Sequence, residues 1–327
     1  MGRYLNKSYR ELEKRLDEKE DTRKDSKNFR EVNNRYISTT DPDASIVRVG
    51  KPKLRYHTHR AVDPAAEVIT ATEVTTGDVN EAHRMNSLMQ AHQGNIGANA
   101  NTVVADSKYG TIQNYLTCYD KGVKAHMPDL KKKQANSGLR RGIFADDRFI
   151  YDKETDTYGC PAGKRLKRKS LHEARQGIDY AASKKECGIC ELQPQCTKNK
   201  AGRTVKRHLR QQEIDYMRAL AGSAQSKKDI KTRQHLMERS FARAKRFGFK
   251  RARWRGLWRV QIQEYITSAI QNIEILIKYG RGTRNAAAVA MEIAQRKGLN
   301  RLFDFFNNCI GTIFGKEKNR QPILCCH

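Results

Sequence analysis

Hydrophobic and polar positions along this chain alternate first with the period of a strand and later with that of a helix. Residues 54–62 (LRYHTHRAV) and 68–74 (VITATEV) are rich in β-branched and aromatic side chains, which predicts two strands. Asp63 and Pro64 begin the turn between them. An antiparallel hairpin is therefore expected here.

The helical period becomes dominant towards the C-terminal part. A short apolar strand is predicted at residues 102–105, ending at Asp106, and a helix follows at residues 111–121. Residues 257–279 carry apolar side chains at helical spacing, which predicts a long buried helix. Those side chains are Ile262, Ile266, Ala269, Ile273 and Leu276.

Between these elements, residues 233–256 (RQHLMERSFARAKRFGFKRARWRG) predict a helix as far as residue 246, because Gly and Pro are absent before Gly248. The predicted buried stripe consists of Met237, Phe241, Ala244 and Gly248, and the predicted basic stripe of Arg239, Arg243 and Arg246. Glu238 and Lys245 lie where the two stripes meet. A carboxylate in that place suits a metal ligand facing a phosphate backbone, although a solvated basic helix is the simpler alternative.

The charge balance of the chain is strongly basic. Sixty-four Lys and Arg against 36 Asp and Glu give a net charge of +28, which predicts a polyanionic partner. No run of 18 apolar residues occurs and the N-terminus lacks the apolar core of a secretion signal, so no membrane association is expected. The length of 327 residues suits about two domains.

Four of the eight cysteines cluster in one part of the sequence. They are Cys160, Cys187, Cys190 and Cys196. In a chain without an export signal, such a cluster indicates a metal site before it indicates disulfides. Cys187 and Cys190 have the spacing of a zinc knuckle, and four thiolates would complete a tetrahedral zinc site. Free structural thiols and other metals are the alternatives.

Several sequence blocks occur together in a fixed order. ADSKYG begins at Ala105 and ERSFARAK at Glu238, and a basic WRG step precedes the long apolar helix. STTDPDAS lies upstream, and YDKETDTYGCPAGKRLKRK and ECGICELQPQCTK lie between the first two blocks. With these motifs the chain resembles the DDE transposases of bacterial insertion sequences, from about residue 38 to residue 279.

The resemblance implies an α/β fold: a ribonuclease-H-like mixed sheet with flanking helices, interrupted by a basic cysteine-bearing insertion in which no clear period is visible. The expected segments are a charged N-terminal segment (1–46), the first part of the catalytic domain (47–127), the insertion (128–228), the second part of the catalytic domain (229–280) and a tail (281–327).

The resemblance also implies the site residues. Asp106 matches the second acid of an Asp-Asp-Glu triad, Glu238 matches the third, and Lys245 matches a lysine that holds DNA near the scissile phosphate. The acids would bind magnesium or manganese, and two such ions can activate the attacking oxygen and stabilise the leaving one. The residues expected to bind DNA are Arg239, Arg243, Arg246, Lys250, Arg251, Arg253 and Arg255.

The first acid is the main departure from the family pattern. The family carries it on the central strand, in an apolar run that should precede STTDPDAS, and residues 1–46 contain no such run. We therefore expect the chain to be the C-terminal part of a longer transposase, with the central strand missing from its sheet. The terminal Cys-Cys-His (325–327) is expected to be incidental.

The predicted function is DNA transposition, in which the enzyme cuts the inverted-repeat ends of an insertion sequence and joins them to target DNA. The resemblance implies a homodimer acting on double-stranded DNA in the bacterial cytoplasm, at the nucleoid. One alternative is an inactive remnant that only binds DNA, because one acid is missing. Another is a zinc-knuckle protein that binds nucleic acid.

Two pairs of aromatic side chains need an interpretation. His57 and His59 alternate onto one face of the first strand and are interpreted as structural. Trp254 and Trp258 lie among arginines and could stack on bases. Packing between the two C-terminal helices is the favoured interpretation.

Overall fold

The computed structural model describes residues 37–47, 52–135, 141–280 and 323–326, together with Arg10, residues 13–15 and Asn33. Most of the expected N-terminal segment and of the expected tail lies outside these residues. The chain divides into two compact units, residues 1–106 with 228–327 and residues 107–227.

The helices and strands are numbered in chain order. They are β1 (Ser45–Val47), β2 (Lys53–Val62), β3 (Ile69–Thr76), α1 (Met85–Ile96), β4 (Thr102–Val104), α2 (Ile112–Asp120), β5 (Lys124–His126), α3 (Leu130–Lys133), β6 (Ile150–Asp152), β7 (Thr157–Gly159), β8 (Arg165–His172), β9 (Gly177–Ala181), α4 (Lys184–Gly188), α5 (Gln193–Cys196), β10 (Thr204–His208), α6 (Gln211–Ala221), α7 (Ala224–Arg246), α8 (Leu257–Gly280) and β11 (Ile323–Cys326). Short 3-10 turns lie between some of them.

The sheet of the first unit is organised around the predicted hairpin, which is confirmed. β2 pairs antiparallel with β1 at one end and with β3 along most of its length. In the turn, the carboxylate of Asp63 accepts a hydrogen bond from the backbone N–H of Ala66 at 3.1 Å. This sheet contains both parallel and antiparallel pairs, so the predicted α/β class with a mixed sheet is confirmed.

The strand between β2 and β4 is β11. It runs antiparallel to β2, with Cys326 opposite Ala61, and parallel to β4, with Cys325 opposite Val104. Ala61, Val104 and Cys326 are fully buried. The expectation that the sheet lacks its central strand was therefore wrong, and so was the expectation that the terminal cysteines are incidental. A four-residue apolar strand covers both inner edges, which would otherwise present unpaired backbone groups.

Helix α7 packs on this sheet through the predicted apolar stripe. Leu236 and Met237 join Val62, Ile69 and Val104 in one hydrophobic cluster. Leu236 lies off the stripe predicted from the 3.6-residue period, yet only 2% of it is exposed. The stripe is therefore wider than the sequence indicated, which fits a helix lying flat on a sheet.

Helix α8 covers the outer edge of β3 with side-chain hydrogen bonds. The amide oxygen of Gln261 accepts the Val74 N–H at 2.6 Å, and that of Asn272 accepts the Ile69 N–H at 2.8 Å. Two polar side chains on the helix thus replace part of a strand ladder.

The STTDPDAS turn fixes the start of α8. The carboxylate of Asp41 accepts the Gly256 N–H at 3.1 Å, and that of Asp43 accepts the Leu257 N–H at 2.8 Å. Carboxylates satisfy the N–H groups that a helix leaves open at its N-terminus and favour the positive end of its dipole. The Tyr56 hydroxyl donates to Asp41 at 2.7 Å and holds this cap in place.

The second unit contains a regular sheet where no clear period was visible. Its five strands are antiparallel, in the order β10-β9-β8-β7-β6. Their shared core is Phe149, Tyr158, Leu166, Tyr180 and Val205. The alternation of apolar and polar residues is difficult to see in these strands because their exposed positions are densely basic, as in RLKRKSLH of β8.

Candidate functional site

Asp106 lies at the C-terminal end of β4, where the sequence placed it. Val103 and Val104 are fully buried, so the strand fixes the backbone immediately before the carboxylate. Asp106 itself is half-buried. A carboxylate at a strand end, with a rigid backbone behind it, is well placed to face a ligand.

Glu238 and Lys245 lie on the exposed side of α7. The amide nitrogen of Gln234, one turn earlier, donates to Glu238 at 3.1 Å. Met237, next to Glu238, shares a hydrophobic cluster with Val104, two residues before Asp106. Both candidate acids are therefore attached to the same core of the first unit.

Among the described residues, no group of three or more His, Cys, Asp or Glu side chains is arranged to hold a metal ion. Asp41 and Asp43 are engaged at the N-terminus of α8. Asp63 accepts a backbone hydrogen bond in the hairpin turn. In the described part of the chain, the candidate catalytic set thus consists of two acids and a lysine.

The basic residues that the sequence assigned to DNA, together with Lys245, fall into two sets. The basic edge consists of six exposed residues: Lys245, Arg246, Lys250, Arg251, Arg253 and Arg255. Arg239, which is 56% exposed, and Arg243 share the carboxylate of Glu67, with Arg239 at 2.7 Å from one oxygen and Arg243 against the other. Glu67 therefore neutralises part of the positive charge that the sequence assigned to DNA.

A buried ion pair holds the first unit together beneath this surface. Arg60 on β2 donates through Nε to Glu264 on α8 at 2.5 Å and through a terminal nitrogen to Ser240 on α7 at 3.1 Å. Its guanidinium carbon lies 4.9 Å and 5.0 Å from the ring centroids of Phe241 and Phe249. Arg60 and Glu264 are 0% and 2% exposed. Ser240 is two residues after Glu238, so this network fixes the helix that carries the candidate acid.

The sequence carries two signals for this pair. Arg60 interrupts the apolar end of β2 (HRAV), where a charge in a buried strand needs a partner. Glu264 occupies a helical core position together with Val260, Thr267 and Gln271, all of them buried. Charged residues at core positions of two neighbouring elements indicate a buried ion pair.

In the second unit, the four clustered cysteines line one small cavity of about 30 Å³. A short turn holds the first of them: Cys160 N–H donates to the Lys164 carbonyl at 2.9 Å, and Lys164 N–H donates to the Cys160 sulfur at 3.3 Å. A Cβ placed on Gly202, whose φ is +97°, would come within 2.9 Å of the Cys187 sulfur. Glycine at that position leaves room for the thiol.

The electrostatics of Cys196 show that the four thiols are neighbours. Burial raises the pKa of the Cys196 thiol, and negative charge on Cys160, Cys187 and Cys190 raises it further, against the effect of Arg203. A cation in the cavity would reverse that mutual repulsion. The other cysteine of this unit with a described environment, Cys118, is buried in α2, where burial raises its pKa to about 12.

Of the two histidines of β2, His59 is a buried structural residue, and the ring of His57 lies edge-on to it at 6.3 Å between centroids. His59 is 1% exposed, and its Nε2 lies 2.9 Å from the Thr75 hydroxyl. Burial lowers the pKa of His59 to about 4. The interpretation of Trp254 and Trp258 was wrong, because they are 46% and 63% exposed and do not fill the space between the two helices.

Comparison with known proteins gives one family. Residues 159–277 match the family model described as "Transposase DDE domain". The match contains the four cysteines, Glu238 and Lys245, and begins after Asp106. Over these residues it supports the resemblance drawn from the sequence motifs, and the ADSKYG and STTDPDAS blocks lie outside the match. Neither the curated proteins nor the solved structures gave a match. No helix in the described part of the chain is long and apolar enough to cross a membrane.

Proposed function

We propose that this chain, a DDE-type transposase, binds the inverted-repeat ends of an insertion sequence and contributes Asp106, Glu238 and Lys245 to their cleavage and joining. The observation that carries this proposal is the two-sidedness of α7. One side of the helix is packed in the core with β4, and the other presents Glu238 and the start of the basic edge to solvent. A phosphate backbone lying on that side would meet the acid and the cations together.

Magnesium or manganese would be held by the carboxylates of Asp106 and Glu238, since these ions prefer oxygen ligands. The bound ion supplies activation of the attacking oxygen and stabilisation of the leaving one. Two carboxylates supply only part of the oxygen ligands that one ion requires. In the described residues no third acid is grouped with them to complete the set. We therefore expect weak metal binding and no cleavage of end-containing duplex by the chain alone. Magnesium-dependent nicking that disappears in Asp106→Ala would contradict this expectation.

DNA binding can be tested separately from cleavage. The basic edge should neutralise phosphates, so log affinity for duplex should fall linearly with log salt, by about 0.9 per phosphate contact. Replacing Lys245 and Arg251 with Gln should remove roughly two phosphate contacts and flatten the salt slope accordingly. Binding to all duplex sequences should weaken about equally. An affinity that is independent of salt would show that the basic edge is only solvated.

Glu67→Gln tests the same interface in the opposite direction, because it should strengthen DNA binding where the previous variants weaken it. It removes the carboxylate shared by Arg239 and Arg243 and leaves both arginines in place. The salt slope should steepen by up to about two contacts, and affinity should rise. The matched control is Glu73→Gln, which removes the partner of Arg84 and leaves the basic edge as it is. An equal rise in both variants would point to net charge alone.

We also propose that the thiolates of Cys160, Cys187, Cys190 and Cys196 hold one structural zinc ion. Their common cavity supports this. In the described residues no three of these side chains are arranged to hold a metal ion, so zinc binding would have to draw the four sulfurs together. The active form would be a homodimer acting at the bacterial nucleoid, because joining two ends of one element requires both to be held at once.

A further inference from the structure

The stretch 250–258, which follows α7 and enters the first turn of α8, combines exposed aromatic rings with a cluster of cations. It carries both tryptophans of the chain, Trp254 and Trp258, four positions apart. Their exposures of 46% and 63% are high for the largest apolar side chain. Four cations of the basic edge lie in the same stretch: Lys250, Arg251, Arg253 and Arg255.

The segment is held in one conformation by hydrogen bonds from outside it. The side chain of Gln263 accepts the Arg253 N–H at 2.9 Å and donates to the Arg251 carbonyl at 3.1 Å. The caps on Gly256 and Leu257 fix its other end. Both indoles are therefore presented on a pre-formed backbone, which lowers the entropy lost when a ligand stacks on them.

The exposed parts of both rings can meet a planar, anionic partner. The guanidinium of Arg259 lies over the ring of Trp258, 5.0 Å from its centroid, so it covers one face of that ring and places a cation beside it. Tyr265, two turns after Trp258 on the same side of α8, is 55% exposed. In duplex DNA the base faces are stacked on one another, so exposed rings gain little from them. Unpaired bases offer their faces, and each base stacked on an aromatic ring contributes about 1–3 kcal/mol to binding.

We propose that Trp254 and Trp258 form a stacking site for unpaired DNA bases, with the surrounding cations on the adjoining phosphates. This rests on the proposed function and makes it more specific: the substrate would be DNA that is single-stranded or opened next to the duplex part. The charge of the segment selects a nucleic acid over an uncharged aromatic ligand.

Intrinsic fluorescence gives a direct assay, because the two tryptophans are the only ones in the chain. The full chain is titrated with a 15-nucleotide oligo-dT, an abasic strand of the same length, a 15-base-pair duplex and oligo-U. Oligo-dT should quench the emission and bind at least about 5-fold more tightly than the abasic strand. The duplex should bind through the basic edge with little quenching.

Two single substitutions complete the test. Trp254→Ala and Trp258→Ala should each weaken oligo-dT binding by about 5- to 150-fold and leave duplex binding within about 2-fold. Trp258→Phe should recover part of the loss because it keeps a ring, and Tyr216→Ala, an exposed ring in the second unit, should change nothing. Circular dichroism checks that the variants fold.

The outcomes separate the two proposals. Equal binding of oligo-dT and the abasic strand, or equal losses on single strand and duplex, would overturn the stacking site while leaving duplex binding intact. Binding to oligo-U without binding to oligo-dT would overturn the assignment to DNA. Failure of all four probes to bind would refute the proposed DNA-binding function as well.

Discussion

The buried pair of Arg60 and Glu264 makes the sharpest stability prediction. Arg60→Met keeps an unbranched apolar stem but removes the guanidinium, which leaves the Glu264 carboxylate at 2% exposure without its cation. Thr72 and Ser268 donate to the same carboxylate oxygen at 2.8 Å and 3.1 Å, so some compensation remains. Breaking a buried ion pair from one side costs about 3–5 kcal/mol.

This magnitude can be checked by urea unfolding followed by circular dichroism. For a unit of this size the slope is roughly 2–3 kcal/mol per molar urea, so the transition of the first unit should move down by about 1–2.5 M. Arg84→Met is the matched control, because its pair with Glu73 is 30% and 27% exposed. An accessible ion pair contributes only about 0–1 kcal/mol to stability. With the same slope, the urea midpoint of Arg84→Met should therefore shift by less than about 0.5 M.

The double variant Arg60→Met with Glu264→Leu decides the mechanism. Replacing both charges with apolar groups removes the uncompensated carboxylate, although Ser240, Thr72 and Ser268 lose an acceptor or donor partner. The double variant should therefore be more stable than Arg60→Met alone. A double variant no more stable than Arg60→Met would refute the reasoning, since the pair would then act through packing and not through charge.

Three further predictions follow from the described site. The pKa of His59 is lowered to about 4 by burial, so below pH 6.5 the unfolded chain takes up a proton that the folded chain does not. Stability should then fall by about 1.4 kcal/mol per pH unit from pH 6.5 towards pH 4, and His59→Gln should flatten that slope in pH-dependent urea titrations. Metal analysis should find one zinc per chain, lost in Cys187→Ser but retained in Cys118→Ser; no zinc in the purified chain would reject that site. Gly202→Ala should lower zinc content as well, because its Cβ would come 2.9 Å from the Cys187 sulfur, and full retention would show that the sulfur can move aside.

The sequence predicted the elements whose patterns are local. The hairpin of β2 and β3, the strand before Asp106 and the apolar side of α7 all follow from spacing within one element. Glu238 was expected at the boundary between the buried and basic stripes of α7, and it lies exposed there. These predictions required no knowledge of the partner of each element.

What could not be predicted depends on pairs of distant segments. Nothing in Ile323–Cys326 indicates that it pairs with β2 and β4, because a four-residue apolar run fits many environments. Glu67 lies in a hairpin turn, and only the packing of α7 brings it to Arg239 and Arg243. The exposure of Trp254 and Trp258 was missed because apolar side chains are expected inside.

The central place of β11 also determines the order in which the sheet can fold. The hairpin of β2 and β3 can form early because its strands are close in sequence. The pairing of β11 with β4 joins residues 325 and 104, which are far apart in sequence, and is expected to form later. Until then, β2 and β4 keep their inner edges open, and these edges carry apolar residues that end up fully buried. Open apolar edges pair readily with other chains. During synthesis and refolding, the surface most prone to aggregation is thus the one that the native state hides at the centre of its own sheet.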